Sequence, residues 1–325
     1  MSDLFEGLSH KIIDDWNQIL SNSVVNTIFI TPEWQSIWYK RFVSDKQLKI
    51  HTIKENNQIL GIIPILLDSD EITFIGDPDL YDYMDFPVAL GHEEKFYQLA
   101  WKYLTSLDWN VMLLNSIPES SPTMKILPKL ASEMGYEVDL FESEKTPLSN
   151  LSTDWETYVA NLPKKYRHEL RRKIRRLDSN VEYIQYEAVI TDDNVEQIMD
   201  DFFLLMSSSM EDKETFLISK NKSFFIDIAK QLTKKDQFKL FFMEIDKKKV
   251  AACICFDYDN KYLLYNSGYN PEFSSLSVSL INKAFSIKDA IEKDKSEFNF
   301  LKGVERYKYH LGASDYSVFD LKISR

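Results

Sequence analysis

Apolar positions recur along the chain with two different periods, and together they predict two successive series of strands and helices. Alternation of apolar and polar residues indicates a half-buried strand, whereas apolar residues three or four positions apart indicate a helix packed on one side. In the first half of the chain these patterns predict helices at 11–21, 31–42, 96–107 and 123–134 and strands at 48–53, 58–67, 71–75, 111–114 and 136–141.

The second half repeats this mixture and adds a run of three consecutive strands. Its predicted helices lie at 155–161, 164–178, 193–210, 222–233, 276–293 and, as a short turn, 305–311. Its predicted strands lie at 181–188, 238–245, 250–258, 261–267, 298–301 and 316–323. Strands and helices that mix along the whole chain predict the α/β class with mixed sheets.

A polar segment at 143–153, which contains Pro147 and has no clear period, predicts the boundary between two domains. The length of 325 residues suits two domains, at roughly 100–200 residues each, or one large domain. We therefore predict domains at 1–145 and 146–325. A short internal repeat suggests two related modules, since Asp15-Trp16 and Asp154-Trp155 are each followed six residues later by an asparagine.

Composition narrows the class of protein. A net charge of −12 disfavours a protein that coats DNA, because the phosphate backbone would repel it. Two cysteines exclude a disulfide framework, and the five histidines show no metal-ligand spacing, so no metal is expected. The first residues carry acids instead of an apolar run, and the longest apolar stretch, 59–67, is shorter than the ~20 residues of a membrane span. These features predict a cytoplasmic protein.

Two motifs in the second half carry a family resemblance. One is Tyr-Asn-Ser-Gly-Tyr-Asn-Pro-Glu-Phe at 265–273, and the other is Phe-Asn-Phe-Leu-Lys-Gly at 298–303, followed by Glu-Arg-Tyr-Lys at 305–308. Looser matches lie at 29–34, 61–64, 81–85 and 166–176. Together they resemble the GNAT acyltransferases of the two-lobed CelD-type, Fem-like branch. The resemblance implies a tandem GNAT-like double domain, with a degenerate GNAT-like lobe at 1–145 and the acyltransferase lobe at 146–325.

The chain departs from the family pattern at four positions. Val278 and Ser279 stand where the family often has Pro-Gly, and Asn299 and Val304 stand where it often has Asp. The departures at 278, 279 and 304 favour an alternative in which the chain is a catalytically inactive GNAT-like binding module.

The start of the predicted helix near Ser277 is a candidate phosphate site. The first four amides of a helix lack intrahelical partners and carry partial positive charge, which suits a pyrophosphate. Serines surround this start, and no acid competes in the first turn; ordinary serine capping is the alternative. The resemblance implies that the pantetheine arm of acetyl-CoA or another acyl-CoA pairs with the strand at 265–267, where Gly268 would permit a bulge. The predicted cofactor residues are Tyr265, Asn266, Ser267, Ser277, Val278, Ser279 and Leu280.

Acyl transfer from a thioester needs a group that protonates the leaving thiolate and a group that deprotonates the attacking amine. Tyr307 follows the strand at 298–301 in a position similar to that of the GNAT general acid. Lys308 is expected to bind an anionic substrate or a phosphate, and Glu305 to orient either Tyr307 or Lys308. An amphipathic pair of rim tyrosines, at 307 and 309, is the alternative.

An acidic segment supplies the second group. Asp82 and Asp85, with Tyr83 between them, resemble the family's Asp-Tyr-x-Asp segment. Asp85 is the predicted proton acceptor, and Asp82 and Tyr83 are predicted to contact substrate. An acidic surface loop is the alternative.

The predicted helix at 164–178 has one apolar side, and basic residues fill the rest. Arg171 and Arg172 are therefore predicted to bind an anion, which could be the 3′-phosphate of CoA, an acidic polysaccharide or tRNA. A solvated basic face is the alternative.

The function that these observations favour is transfer of an acyl group from acyl-CoA to the amine of a sugar or other small metabolite, in polysaccharide or cell-envelope biosynthesis. A Fem-like peptidyltransferase that uses aminoacyl-tRNA is the less favoured enzyme, because no long heptad arm occurs in the sequence. The acceptor, the acyl group and the oligomeric state are not specified by the sequence.

Overall fold

The computed structural model describes residues 10–43, 45–209 and 219–325. The chain forms two compact units: unit 1 comprises residues 1–145 and 316–325, and unit 2 comprises residues 146–315. The division after Lys145 falls at the predicted boundary, but the last ten residues belong to unit 1. Within the described residues, no helix is both long and apolar enough to cross a membrane.

Unit 1 has a six-stranded sheet in the order β1-β2-β3-β4-β12-β5. Its helices are α1 (His10–Leu20), α2 (Pro32–Phe42), α3 (Glu93–Thr105) and α4 (Thr123–Glu133). Its strands are β1 (Gln47–Glu55), β2 (Gln58–Asp68), β3 (Glu71–Phe74), β4 (Val111–Pro118), β5 (Glu137–Lys145) and β12 (Ser317–Ser324).

Unit 2 has a second six-stranded sheet in the order β6-β11-β10-β9-β8-β7. Its helices are α5 (Trp155–Asn161), α6 (Lys164–Asn180), α7 (Val195–Ser209), α8 (Ser219–Thr233), α9 (Val278–Glu292) and α10 (Arg306–His310). Its strands are β6 (Leu148–Asn150), β7 (Tyr183–Glu187), β8 (Phe238–Ile245), β9 (Lys248–Tyr258), β10 (Lys261–Tyr269) and β11 (Glu297–Asn299). The predicted helix end at Met210 lies outside the described residues.

Local sequence explains many of these elements. The two-residue turns Asn56-Asn57, Asp246-Lys247 and Asp259-Asn260 have positive φ at both positions. That geometry matches the twist of a hairpin, and Asn and Asp adopt it more readily than most residues. Thr31 caps α2 by accepting a hydrogen bond from the amide of Trp34, and Pro32 occupies the first helical position.

The two sheets repeat one connectivity. In unit 1, the hairpin β1-β2 is followed by β3, the helix α3 and the parallel strand β4. In unit 2, the hairpin β8-β9 is followed by β10, the helix α9 and the parallel strand β11. The strand next to β4 is β12, from the end of the chain, and the strand next to β11 is β6, from its middle. Each unit is therefore completed by a strand distant in sequence from the parallel pair that it joins.

Because β12 completes its sheet, we expect unit 1 to depend on the last ten residues. Leu321 is buried and pairs with Leu114 and Leu140, whereas the adjacent Lys322 is exposed. Leu321→Ala should lower the free energy of unfolding by about 2–5 kcal/mol, and the control Lys322→Ala should change it by less than ~0.5 kcal/mol. Urea titration followed by tryptophan fluorescence measures this, since Trp155 is the one tryptophan outside unit 1. Equal effects of the two substitutions would contradict the assignment of β12.

Candidate functional site

The strands β10 and β11 part within unit 2. They pair in parallel at three positions, from Lys261 with Glu297 to Leu263 with Asn299. Beyond Leu263, β10 continues to Tyr269 as an antiparallel partner of β9, while β11 has ended. An opening between two parallel strands results, and it begins at Leu264.

The backbone of β10 is irregular at the start of this opening. The register against β9 shifts between Leu264 and Asn266, so the bulge lies at Tyr265. The expectation that Gly268 provides the bulge is therefore wrong. Gly268 instead permits close packing, because a Cβ at that position would lie 2.3 Å from the amide nitrogen of Met206 in α7.

A buried lysine holds the turn that ends β11. The Lys308 ammonium donates hydrogen bonds to the carbonyl oxygens of Leu301, Lys302 and Gly303, at 3.0, 2.5 and 3.0 Å. It also lies 3.0 Å from the Glu305 carboxylate, and the residue is 1% exposed. The prediction that Lys308 binds an anionic substrate is corrected by this geometry, because its three protons are directed to the turn.

We expect Lys308→Met to destabilise unit 2. The methionine fills similar space but leaves three carbonyl groups without their charged donor, at a cost on the order of 3 kcal/mol. The control is Arg306→Met, since Arg306 is exposed on the same short helix. Urea denaturation followed by circular dichroism measures both variants, and wild-type stability of Lys308→Met would contradict this role.

The helix α9 begins beside this opening, two residues later than predicted. A 3₁₀ turn at Pro271–Leu276 leads to Ser277, which has φ 60° and makes no side-chain cap. The first helical hydrogen bond runs from the amide of Ile281 to the carbonyl of Ser277 at 3.0 Å. The amides of residues 278–280 therefore precede the ladder of helical hydrogen bonds, and no acid lies in the first turn. The Val278 side chain is fully buried, so only its backbone is available to a ligand.

A second buried lysine, which the sequence analysis missed, lies between this helix start and Tyr307. Lys283 is 4% exposed and donates a 2.7 Å hydrogen bond to the Ser279 hydroxyl. Its ammonium lies 4.9 Å from the centre of the Tyr307 ring. The available signal was a lysine four residues after Ser279, and therefore on the same face of the helix. Lys283 places positive charge next to the amides of the first turn.

Tyr307 is protonated at neutral pH because of its surroundings. Burial raises its pKa well above the ordinary value of a tyrosine, and the charge of Glu305 raises it further. The phenol therefore keeps its proton at neutral pH. This property excludes Tyr307 as a base near neutrality and leaves its proton in place on the phenol.

The acidic segment of unit 1 is buried. Asp85 is 2% exposed, and its carboxylate accepts hydrogen bonds from the Ser121 hydroxyl at 2.5 Å, the Thr123 hydroxyl and the Phe86 amide at 2.8 Å. Asp82 and Tyr83 are also buried. The alternative of an acidic surface loop is therefore wrong for Asp82 and Asp85, and the contacts give Asp85 a clear structural role.

The same segment fills the opening of the unit 1 sheet. The Met84 amide donates to Ser116 of β4 at 2.9 Å, and on the other side the Ile62 amide of β2 donates to Pro87 at 2.9 Å. Gly61 allows this approach, since a Cβ there would lie 2.6 Å from the Pro87 carbonyl oxygen. Residues 84–89 thus lie between β2 and β4. The parallel pair of unit 1 has its opening closed by the chain itself.

Burial gives Asp85 a measurable effect on stability. Burial raises its pKa from 3.8 to about 6, although its three hydrogen bonds act in the opposite direction. The folded state therefore binds a proton more tightly than the unfolded state, and the contribution is present below pH ~4 and lost as the pH rises through about 6.

We expect Asp85→Asn to remove this part of the pH dependence, so that stability falls less between pH 4 and 7 than in the wild type. Urea titrations at several pH values, followed by tryptophan fluorescence, measure the difference, with the exposed Asp79→Asn as control. An unchanged slope in Asp85→Asn would show that the carboxyl does not titrate in this range.

The two arginines of α6 that are predicted to bind an anion, Arg171 and Arg172, point in different directions. Leu170 and Leu177 are buried, and successive helical residues are 100° apart. The Arg171 guanidinium lies 3.2 Å from Glu156 of α5, whereas Arg172 is exposed on the outer face. The helix also contacts the 3₁₀ turn at Pro271–Leu276 that precedes α9. The residues at 265–267, 277–280 and 305–308 all belong to unit 2, where Lys283 joins Ser279 to Tyr307, and Asp82, Tyr83 and Asp85 belong to unit 1.

Comparison with known proteins agrees with this topology. Residues 164–309 match the family model described as an acetyltransferase (GNAT) domain. No curated protein sequence matches the chain. Among solved structures, the chain is similar to FemX, with a TM-score of 0.68 at 8% identity and 95% of both chains covered.

Two further structures share the fold. A protein of unknown function from Bacteroides thetaiotaomicron VPI-5482 has a TM-score of 0.63 at 12% identity, with 99% of both chains covered. L-PGS from Bacillus licheniformis has a TM-score of 0.57 at 8% identity, with 96% of this chain and 91% of that chain covered. The match at residues 164–309 and the fold shared over nearly the whole chain confirm the predicted two-lobed, tandem GNAT-like fold.

Proposed function

We propose that unit 2 is an acyl-CoA-dependent N-acyltransferase lobe of the CelD type and that unit 1 is a degenerate lobe. The observation that carries this proposal is the contrast between the two openings. In unit 2 the strands β10 and β11 separate beside the first turn of α9, which has no side-chain cap and no acidic residue. In unit 1, where β3 ends at Phe74, residues 84–89 lie between β2 and β4. This contrast supports unit 2, and not unit 1, as the lobe that holds a ligand beside its parallel strands.

Each part of the carrier has a matching feature. The pyrophosphate of CoA would accept hydrogen bonds from the amides of Val278, Ser279 and Leu280, with Lys283 adding positive charge nearby. The pantetheine arm would lie along Tyr265, Asn266 and Ser267, where the bulge disturbs the regular pairing of β10. Ser277, in the left-handed region, turns the chain into the helix.

The chemistry uses the remaining groups. The acceptor amine attacks the thioester carbonyl carbon, a C–N bond forms and the C–S bond breaks. Tyr307 would donate its proton to the departing thiolate, and the amine would lose its proton to solvent or to a carboxylate. Glu305 would keep Tyr307 protonated, because its charge raises the pKa of the phenol. Asp85, Asp82 and Tyr83 remain candidates for the acceptor side only if the buried segment of unit 1 rearranges.

The acceptor in this proposal is the amine of a sugar or other small metabolite in polysaccharide or cell-envelope biosynthesis. A net charge of −12 favours a cationic acceptor over a polyanion. Since acyl-CoA is an intracellular metabolite, the proposal also places the reaction in the cytoplasm. Arg172 remains a candidate for the 3′-phosphate, because α6 contacts the turn that leads into α9.

Acetyl-CoA affinity tests the helix start directly. Ser279→Asp adds a negative charge that favours the helix dipole by about 0.3–1 kcal/mol but repels a pyrophosphate. We expect its acetyl-CoA affinity, measured by calorimetry, to fall at least about tenfold (~1.4 kcal/mol). Ser279→Asn is the neutral control and should bind nearly as the wild type does. Equal affinity of the Asp and Asn variants would remove the pyrophosphate from this site.

The role of Tyr307 is tested by thiol release from acetyl-CoA in the presence of a panel of amino sugars and small amines. Tyr307→Phe should lower kcat by about 10²–10⁴-fold while the calorimetric affinity for acetyl-CoA changes little. The control is Tyr309→Phe, whose hydroxyl bonds to Asp315 on the other side of the same helix. Full activity of Tyr307→Phe would contradict the proposed proton transfer.

A second candidate function follows from the likeness to FemX and from the exposed basic face of α6. The Fem resemblance implies transfer from aminoacyl-tRNA, and the two candidates predict different results. A chain that binds aminoacyl-tRNA but produces no heat with any acyl-CoA would favour the Fem-like reaction. Failure to bind either carrier would favour the inactive binding module.

A further inference from the structure

A groove between α5 and α6 is lined by residues other than those proposed for acyl transfer. It encloses about 280 Å³, and Trp155, Glu156, Val159, Leu170, Arg171, Ile174 and Arg175 line it. Each helix contributes residues at i and i+4: Trp155 and Val159 from α5, and Leu170 and Ile174 from α6. Because residues four apart lie on one helix face, these four side chains form an apolar floor.

The rim of this groove is basic. Arg171 and Arg175 follow Leu170 and Ile174 by one position each, so they form a parallel row beside the floor. Arg171 pairs with Glu156 at 3.2 Å, and the two side chains are 46% and 76% exposed. Exposed pairs of this kind contribute about 0–1 kcal/mol, so a stronger anion can displace Glu156. In the part of the chain that the structure describes, Arg175 has no acidic partner.

We propose that this α5–α6 groove binds a small anionic amphiphile, with an apolar chain on the floor and a phosphate held by Arg171 and Arg175. Two guanidinium groups match a phosphate because each presents parallel N–H donors. The basic rim favours an anionic ligand. The apolar floor favours a ligand that carries an apolar chain in addition to its phosphate. A volume of 280 Å³ suits one small molecule held from solution.

Calorimetry with decyl phosphate, below the concentration at which it forms micelles, tests the proposal. Decyl phosphate should bind with one-to-one stoichiometry, at least about tenfold more tightly than inorganic phosphate or decyltrimethylammonium. Arg175→Gln should weaken binding about tenfold. The matched control is Arg176→Gln, the next residue on the helix, which lies on the outer face and should have little effect.

The proposal is overturned if decyl phosphate binds no better than inorganic phosphate, or if the two arginine variants behave alike. Binding to vesicles of phosphatidylcholine and phosphatidylglycerol without binding of monomeric decyl phosphate would also overturn it, in favour of a membrane surface. Ser279→Asp separates this groove from the acyl-carrier site, because it should leave decyl phosphate binding intact. Loss of binding in that variant would place the amphiphile at α9 and contradict the assignment to the groove.

Trp155 gives an independent signal. Its indole lines the groove and stacks on Tyr158, with ring centroids 6.0 Å apart. Decyl phosphate should therefore change the tryptophan fluorescence of the wild type, and Trp155→Phe should abolish the change while retaining most of the affinity. A fluorescence change of wild-type size in Trp155→Phe would show that the ligand binds elsewhere.

Discussion

The parting of two parallel strands is the structural feature on which the proposed chemistry depends. A strand that loses its neighbour leaves backbone groups that need partners, and such groups are costly when they are buried. In unit 2 the turn after β11 is held by Lys308, so the strand cannot continue beside β10. The opening is therefore built into the fold, at the place where α9 presents its first amides.

The two units share one connectivity but differ at the place where their parallel strands separate. Unit 1 closes its opening with residues 84–89, and Asp85 joins that segment to the turn before α4 through Ser121 and Thr123. Closure of this kind satisfies the backbone inside the protein and leaves no space for a ligand. In unit 2, Lys283 joins the start of α9 to Tyr307, near the place where β10 and β11 separate. Of the two repeated units, unit 1 is thus the structural one and unit 2 is the candidate catalytic one.

Local chemistry in the sequence predicted most elements, because their causes lie within a few residues. The hairpin turn Asn56-Asn57 and the cap at Thr31 are of this kind. The start of α9 was misplaced by two residues, since the preceding segment forms a 3₁₀ turn that has the same serine-rich composition. The sequence could not show that residues 317–324 return to the first sheet, because that choice depends on pairing with β4 and β5, far away along the chain.

The sequence predicted which segments contribute to the candidate site better than it predicted what each residue does there. Ser279 and Tyr307, from two of the predicted segments, do lie around Lys283 in unit 2, yet the roles of Lys308 and Asp85 are set by partners that no spacing reveals. Lys283 was missed because its importance comes from Ser279 and Tyr307 together. Hydrogen exchange with and without acetyl-CoA tests the central claim most directly. The account predicts slower exchange of amides at 264–269 and 278–280 and unchanged exchange at 84–89. Protection at 84–89, or none in unit 2, would contradict it.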